Sequence, residues 1–185
     1  MKKQFAASHL DVRGFAQASG ELDGCDLLSR YHRIAADCLE NGGDAKVTWA
    51  ARGEVRAGPL GQPEYWLHLH AETSAPVTCQ RCLQGVAVPL LVDRHFRFVA
   101  DEATAAAQDD AAAEDLLVLT ADFDLHLLIE DELVMELPLI PRHALCPRQP
   151  LLAVSDPGFD APADDRPNPF AVLAHLKPPA GCEKE

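Results

Sequence analysis

The chain has 185 residues and a mass of 20.1 kDa, with 48% hydrophobic residues, enough for one core of ordinary size but not for two full domains. Acidic residues outnumber basic ones by 29 to 16, and the formal charge of -13 repels phosphate backbones, so non-specific nucleic-acid binding is disfavoured. No apolar stretch approaches the roughly 20 residues of a membrane span, and residues 4–20 hold Asp11 and Arg13 instead of the apolar segment of a secretory signal. A cytoplasmic protein is expected, with its six cysteines as thiols or metal ligands rather than disulfides.

Tyr31, Ile34, Ala35, Cys38 and Leu39 fall at helical spacing and predict a short helix over 29–39, ended by Asn41-Gly42-Gly43. Over 46–56, Val47, Trp49, Ala51 and Val55 alternate with more polar residues as in a strand, and Gly58-Pro59-Leu60-Gly61-Gln62-Pro63 supplies a reversal. Tyr65, Leu67, Leu69, Ala71 and Val77 then hold odd positions while His68, His70, Glu72 and Ser74 hold even ones, a second strand beside the first. After 79–85, the apolar residues Val86, Val88, Leu90, Val92, Phe96 and Phe98 all occupy even positions, so one face can stay buried throughout. Short reversals between long alternating segments favour antiparallel pairing.

Residues 101–115, rich in alanine and acid, lack an apolar stripe and predict a mobile excursion or a frayed helix without chemistry. A strand at 116–119 leads to Asp122 or Asp124 as the N-cap of a main helix, which Pro138 and Pro141 stop near Leu137. Proline, aspartate and alanine mark a linker over 153–167, and Asn168-Pro169 opens a short docking helix with Phe170, Leu173 and Leu176 on one stripe. The expected fold is α+β in a single domain over 1–185. An antiparallel meander, with closure into a barrel as a variant, is packed by one main helix and short terminal helices.

Three separated strings now come together: Cys79-Gln80-Arg81-Cys82-Leu83, then Leu128-Ile129-Glu130-Asp131-Glu132-Leu133 through Leu137-Pro138-Leu139-Ile140-Pro141-Arg142-His143, and finally Arg166-Pro167-Asn168-Pro169-Phe170-Ala171-Val172-Leu173. In order and separation they resemble the YceD family, called large ribosomal RNA subunit accumulation proteins. The resemblance implies a non-enzymatic ribosome-biogenesis factor that supports synthesis, processing or stability of large-subunit (23S) rRNA. It brings no catalytic residues with it. The alanine-rich stretch departs from the family pattern.

Two groups of residues carry candidate chemistry. Cys79 and Cys82 sit in the predicted turn between two strands, where both thiolates of a zinc knuckle can face one ion. His143 and Cys146 would complete a Cys3His set if the chain after the main helix returns to that turn; the alternative is a packing pair of cysteines. A structural zinc is the one cofactor the residues suggest. The second group, Glu130, Asp131, Glu132 and Glu136, lies on the main helix, where Glu132 and Glu136 interrupt the arc of Leu125, Leu128, Ile129 and Leu133. Buried unpaired carboxylates are costly, so two readings stand: an internal salt bridge to Arg81, Arg94 or Arg142, or an acidic strip that binds a basic partner. His68 and His70 share a strand face, but no carboxylate pattern lies near them in sequence, and they read as solvent-side residues.

No phosphate-loop, dinucleotide, nucleophile-elbow or zincin motif is present. The expected function is therefore non-enzymatic: binding of a basic ribosomal protein or a pre-ribosomal particle, with charge complementarity speeding the encounter. Two alternatives are a direct rRNA binder, in which Arg52, Arg56, Arg81, Arg94 and Arg97 converge on one face, and a small metal-dependent hydrolase or nuclease.

Overall fold

The structure, a computed structural model, describes residues 5–59, 61–148, 170, 171 and 173. The chain divides into two compact units, Met1–Pro150 and Leu151–Glu185. In the first, α1 (Val12–Gln17) and β1 (Glu21–Leu27) are followed by a 3-10 turn and α2 (His32–Asp37). Then come β2 (Lys46–Ala57), β3 (Pro63–Thr78), β4 (Gly85–Val99), α3 (Glu102–Gln108), β5 (Asp115–Val118) and α4 (Leu125–Met135).

The strands lie in spatial order β1-β2-β3-β4-β5. The first four pair antiparallel as a meander, whereas β5 runs parallel to β4. The sheet is mixed and open. Closure into a barrel does not occur, because five strands, the last of only 4 residues, leave β1 and β5 as separate edges. A parallel neighbour needs a crossover of about a dozen residues or more, and the alanine-rich stretch supplies it as α3. Asp101 caps that helix by accepting from Thr104 N at 2.8 Å, and Arg97 ties it to the sheet through Gln108 at 2.9 Å and through Glu114.

The alternation read along the strands places Val47, Trp49, Ala51, Leu67, Leu69, Ala71, Val92, Phe96 and Phe98 on one buried face. Phe15 of α1, Ile34 of α2, and Leu125, Leu128, Ile129 and Leu133 of α4 join this core. Each such side chain contributes about 1.5–3 kcal/mol by leaving water. The other face of the sheet stays polar, with His68, His70, Glu72, Asp93 and His95 outward. Trp66, on that outer face, is shielded by the Arg56 guanidinium at 4.1 Å from its ring centre.

Two elements have no counterpart in the expectations above, α1 and β1. In β1 the inward positions are Leu22, Gly24 and Asp26, too little apolar content to register as alternation. Gly24 is there because a side chain would strike Trp49, whose Cζ2 would lie 2.5 Å from an added Cβ. Asp26 accepts from Trp49 Nε1 at 2.7 Å and Tyr31 Oη at 3.1 Å. Burial draws the Asp26 pKa up, but these donors, with Arg30 and His126, outweigh it and hold the carboxylate below its ordinary range. The helix expected over 29–39 is shorter than its spacing suggested, a 3-10 turn at Leu28–Arg30 and then α2, because Leu39 N turns away to Pro76 O at 2.8 Å.

The main helix keeps its expected cap: Asp124 accepts from His126 N and Leu127 N at 2.9 and 3.4 Å. Among the described residues no helix is long and apolar enough to cross a membrane. The linker expected over 153–167 lies outside the described residues, as does most of the docking helix; within the latter, Leu173 N donates to Phe170 O at 3.0 Å.

Candidate metal centre

The loop joining β3 to β4 carries Cys79 and Cys82. Cys79 N donates to Gln84 O at 2.8 Å and Leu83 N to Cys79 O at 2.9 Å, which folds the Cys-x-x-Cys stretch into a tight turn. Leu83 adopts the left-handed region, φ 58°, where glycine is favoured. After α4, Pro138 and Pro141 prevent the helix from continuing, and the chain comes back to the loop, with Gln80 N donating to Pro141 O at 2.8 Å. This return brings His143 and Cys146 to the two cysteines.

The four ligand atoms of Cys79, Cys82, His143 and Cys146 all lie within 4.8 Å of one another. Cys79 Sγ and Cys146 Sγ are 3.8 Å apart, and Cys82 Sγ is 3.4 Å from His143 Nδ1. Zinc–sulfur bonds of about 2.3 Å and zinc–nitrogen bonds of about 2.0–2.1 Å in a tetrahedron give edges of about 3.8 Å and 3.6 Å. The residues therefore fit zinc in both chemistry and size. His143 Nε2 donates to Gly85 O at 3.0 Å, which puts the ring proton on Nε2 and leaves the Nδ1 lone pair facing the sulfurs.

Charge at this cluster is also provided for. Arg81 Nε lies 2.9 Å from Cys146 Sγ, and Arg81 Nη2 donates to His143 O at 3.0 Å. Three thiolates around a divalent ion would leave one negative charge in excess, which this guanidinium would offset. Burial opposes ionisation of Cys79, but the backbone N–H groups of Cys82, His143 and Arg81, with the His143 side chain, outweigh it and bring the thiol down to about 5. Cys82 is pushed the other way, first by burial and then by the neighbouring sulfurs. Arg81, one of the three arginines within the expected choice of partners for the helix glutamates, serves the cysteine cluster instead.

The acidic residues of α4 are held by two other arginines. Glu130 accepts from Arg33 N at 2.7 Å, its second oxygen is 3.5 Å from Arg33 Nε, and Asp131 also pairs with Arg33. Glu132, 4% exposed, faces Arg94 Nε at 3.1 Å, near enough for an ion pair though not aligned as a hydrogen bond, while Glu136 meets Arg94 Nη2 at 3.5 Å. Burial raises the Glu132 pKa, with Arg94 partly offsetting it. Of the four, Asp131 and Glu136 reach the surface.

Both halves of the cysteine–histidine cluster, and all of α4, lie within a stretch, residues 67–177, that matches the family described as Large ribosomal RNA subunit accumulation protein YceD. The chain belongs to the YceD family. That membership carries with it a role in accumulation of the large ribosomal subunit RNA. No curated protein and no solved structure matches the chain.

In this YceD-family chain the five arginines named for RNA contact do not share a face. Arg52, Arg56 and Arg97 belong to the outer side of the sheet, Arg94 points inward to α4, and Arg81 sits in the β3–β4 loop. Each is engaged: Arg52 with Glu21 at 2.7 Å, Arg56 with Glu54, Arg97 with Glu114 and Glu64, Arg94 with Glu132 and Asp115, and Arg81 with Cys146. Exposed apolar residues lie in the two segments that carry the cysteine cluster: Leu83 is 73% exposed in the β3–β4 loop, and Leu139 is 100%, Ile140 65% and Leu145 90% exposed in the chain after α4. No periodic pattern in the sequence marks these residues as exposed, since they fall in the loop and in the chain after α4 rather than in an alternating element.

Proposed function

We propose that this chain is a non-enzymatic factor that supports large-subunit rRNA accumulation in the cytoplasm by binding a basic ribosomal protein or a pre-ribosomal particle. The binding surface is the apolar rim around the cysteine–histidine centre, with Asp131 and Glu136 contributing to the attractive field. The observation that carries this reading is the exposure of Leu83, Leu139, Ile140 and Leu145 in the two segments that the cysteine–histidine centre would tie together. Exposed apolar residues gathered in one patch mark interaction surfaces, and a rigid patch loses less entropy on binding. Leu83 supports the same view, because a leucine kept at positive φ, with its side chain in solvent, costs about 1–2 kcal/mol that glycine would avoid.

Four protein ligands fill a tetrahedral zinc site and leave no open position for a substrate, which favours a structural ion over a hydrolytic one. The paired state of the arginines likewise favours a protein partner over bare rRNA. The test is capture by the tagged full chain from growing cells at low salt, beside a Leu139→Asp/Ile140→Asp variant. A basic ribosomal protein or large-subunit precursor is expected with the natural chain, at about tenfold lower yield with the variant. Equal capture by both, or retention of protein-free rRNA with a steep salt dependence, would overturn the proposal.

A further inference from the structure

β1 is an edge strand, paired with β2 on one side in an unbroken register from Glu21↔Arg52 to Leu27↔Lys46. In an antiparallel ladder alternate residues turn both backbone groups toward the partner strand, and the residues between them turn both away. Two bonds at the ends of the ladder fix which are which. Gly53 N donates to Gly20 O at 2.9 Å and Leu28 N to Ala45 O at 2.7 Å, so the even positions Leu22, Gly24 and Asp26 bond to β2. The N–H and C=O groups of Glu21, Asp23, Cys25 and Leu27 therefore face the open edge. Among the described residues, no backbone hydrogen bond outside the ladder ends on any of these four.

Sheets usually blunt such an edge with proline, lysine, a bulge or a very short strand. β5, at the other edge, is only 4 residues long. β1 has 7 residues, neither proline nor lysine, and no bulge. Its inward Asp26 is occupied by Trp49 and Tyr31 and is not left to repel an incoming strand. What guards this edge is negative charge on the outer face, which turns some strands away and attracts others. Glu21 shares Arg52 at 2.7 Å, in an exposed pair. Asp23 is exposed and lies opposite Ala50, and among the described residues no cation pairs with it.

We propose that β1 takes up an extended basic protein segment as an antiparallel sixth strand, with Lys or Arg at alternate positions against Glu21 and Asp23 and apolar residues between them. Backbone bonds to the open edge would supply affinity, and the side chains of alternate residues specificity. A residue directly opposite Asp23 shares its face with Cβ atoms about 4.5–5.5 Å apart, within reach of a lysine or arginine head. The residues between would fall beside Leu22 on the inner face. A second copy of the chain fits less well, because its own Glu21, Asp23 and Asp26 would meet the same acids, and like charges oppose pairing. This contact adds to the apolar surface of the proposed function and rests on that reading only for the ribosomal origin of the basic segment.

The probe is a synthetic peptide, acetyl-Lys-Val-Lys-Val-Lys-Val-Lys-amide, added to the full chain at low salt while amide hydrogen exchange is followed residue by residue by NMR. The amides of Asp23, Cys25 and Leu27 should exchange fast in the free chain and slow by about tenfold or more with peptide bound. Those of Leu22, Gly24 and Asp26 should be protected throughout. The same peptide with N-methylated backbone amides keeps its charge and loses its donors, and should bind about tenfold more weakly. Asp23→Lys, at an exposed position, should weaken the unmethylated peptide by about tenfold, with protection of Leu22 and Gly24 reporting that β1 is still formed. No slowing at Asp23, Cys25 and Leu27 in the natural chain at high peptide concentration, or equal binding of the two peptides, would overturn the proposal. Slowing at the edge in a chain that captures no basic partner from cells would sink the proposed function alone.

Discussion

Arg94 occupies an even position in β4, in a run whose other inward residues are apolar, and its guanidinium lies between the sheet and α4 with Glu132, Glu136 and Asp115 around it. Taking it away strands Glu132, which is buried almost completely. Removing one partner of a buried ion pair costs about 3–5 kcal/mol; because Arg94 itself is partly exposed, Arg94→Met is expected at the lower end, about 3 kcal/mol, measured by urea unfolding. The double variant Arg94→Met/Glu132→Leu should regain most of that loss, since apolar replacement of both partners leaves no stranded charge. The pH dependence has a definite sign. A carboxyl whose folded pKa lies above its unfolded value binds more protons when folded, so stability falls as pH rises from the unfolded towards the folded value. In Arg94→Met, where nothing offsets burial, stability should rise more steeply than in the natural chain as pH is lowered from 7 towards 5.

At the scale of elements, the β3–β4 loop and the chain after α4 depend on each other. Few backbone bonds join them, Gln80 N to Pro141 O among them, and the rest of the connection runs through Arg81 and the four ligand atoms. Chelation should raise hydrogen exchange over residues 79–84 and 141–146 while β2 and β4, deep in the sheet, keep their protection. Cobalt substitution should give thiolate charge-transfer absorption, lost in Cys79→Ser. Metal uptake must displace the proton from Cys82, whose pKa is raised by burial and by adjacent sulfur, so apparent affinity should climb as pH rises. The crossover α3 shows the same interdependence in the sheet itself: low apolar content hides it in sequence, yet a parallel β5 requires it.

At the scale of the whole molecule the 29 acidic residues exceed what 16 basic ones can pair, so net self-repulsion survives the ion pairs described here. Screening it with salt from about 0.01 to 0.15 M shortens the Debye length from about 30 to 8 Å. The thermal midpoint of the natural chain should therefore rise over that range, and a fall would mean that paired charges dominate. On the proposed function, the same excess charge would speed encounter with a cationic partner, while the exposed apolar residues would set how long the partner stays.

Periodicity by itself determined β2, β3 and β4, because a residue's position in a two-residue repeat decides which side it faces, whatever lies opposite; the main helix was marked instead by its aspartate cap and by Pro138 and Pro141. The cysteines and His143 were legible as candidate ligands for a similar reason, since donor chemistry belongs to the residue. Their convergence was not. Whether the chain after α4 returns to the loop, whether Arg81 serves glutamates or thiolates, and whether Asp93 lies beside His68 and His70 all depend on strand register and helix packing. Those are set by contacts between residues far apart in the chain, which no local pattern records; only the tertiary structure decided them.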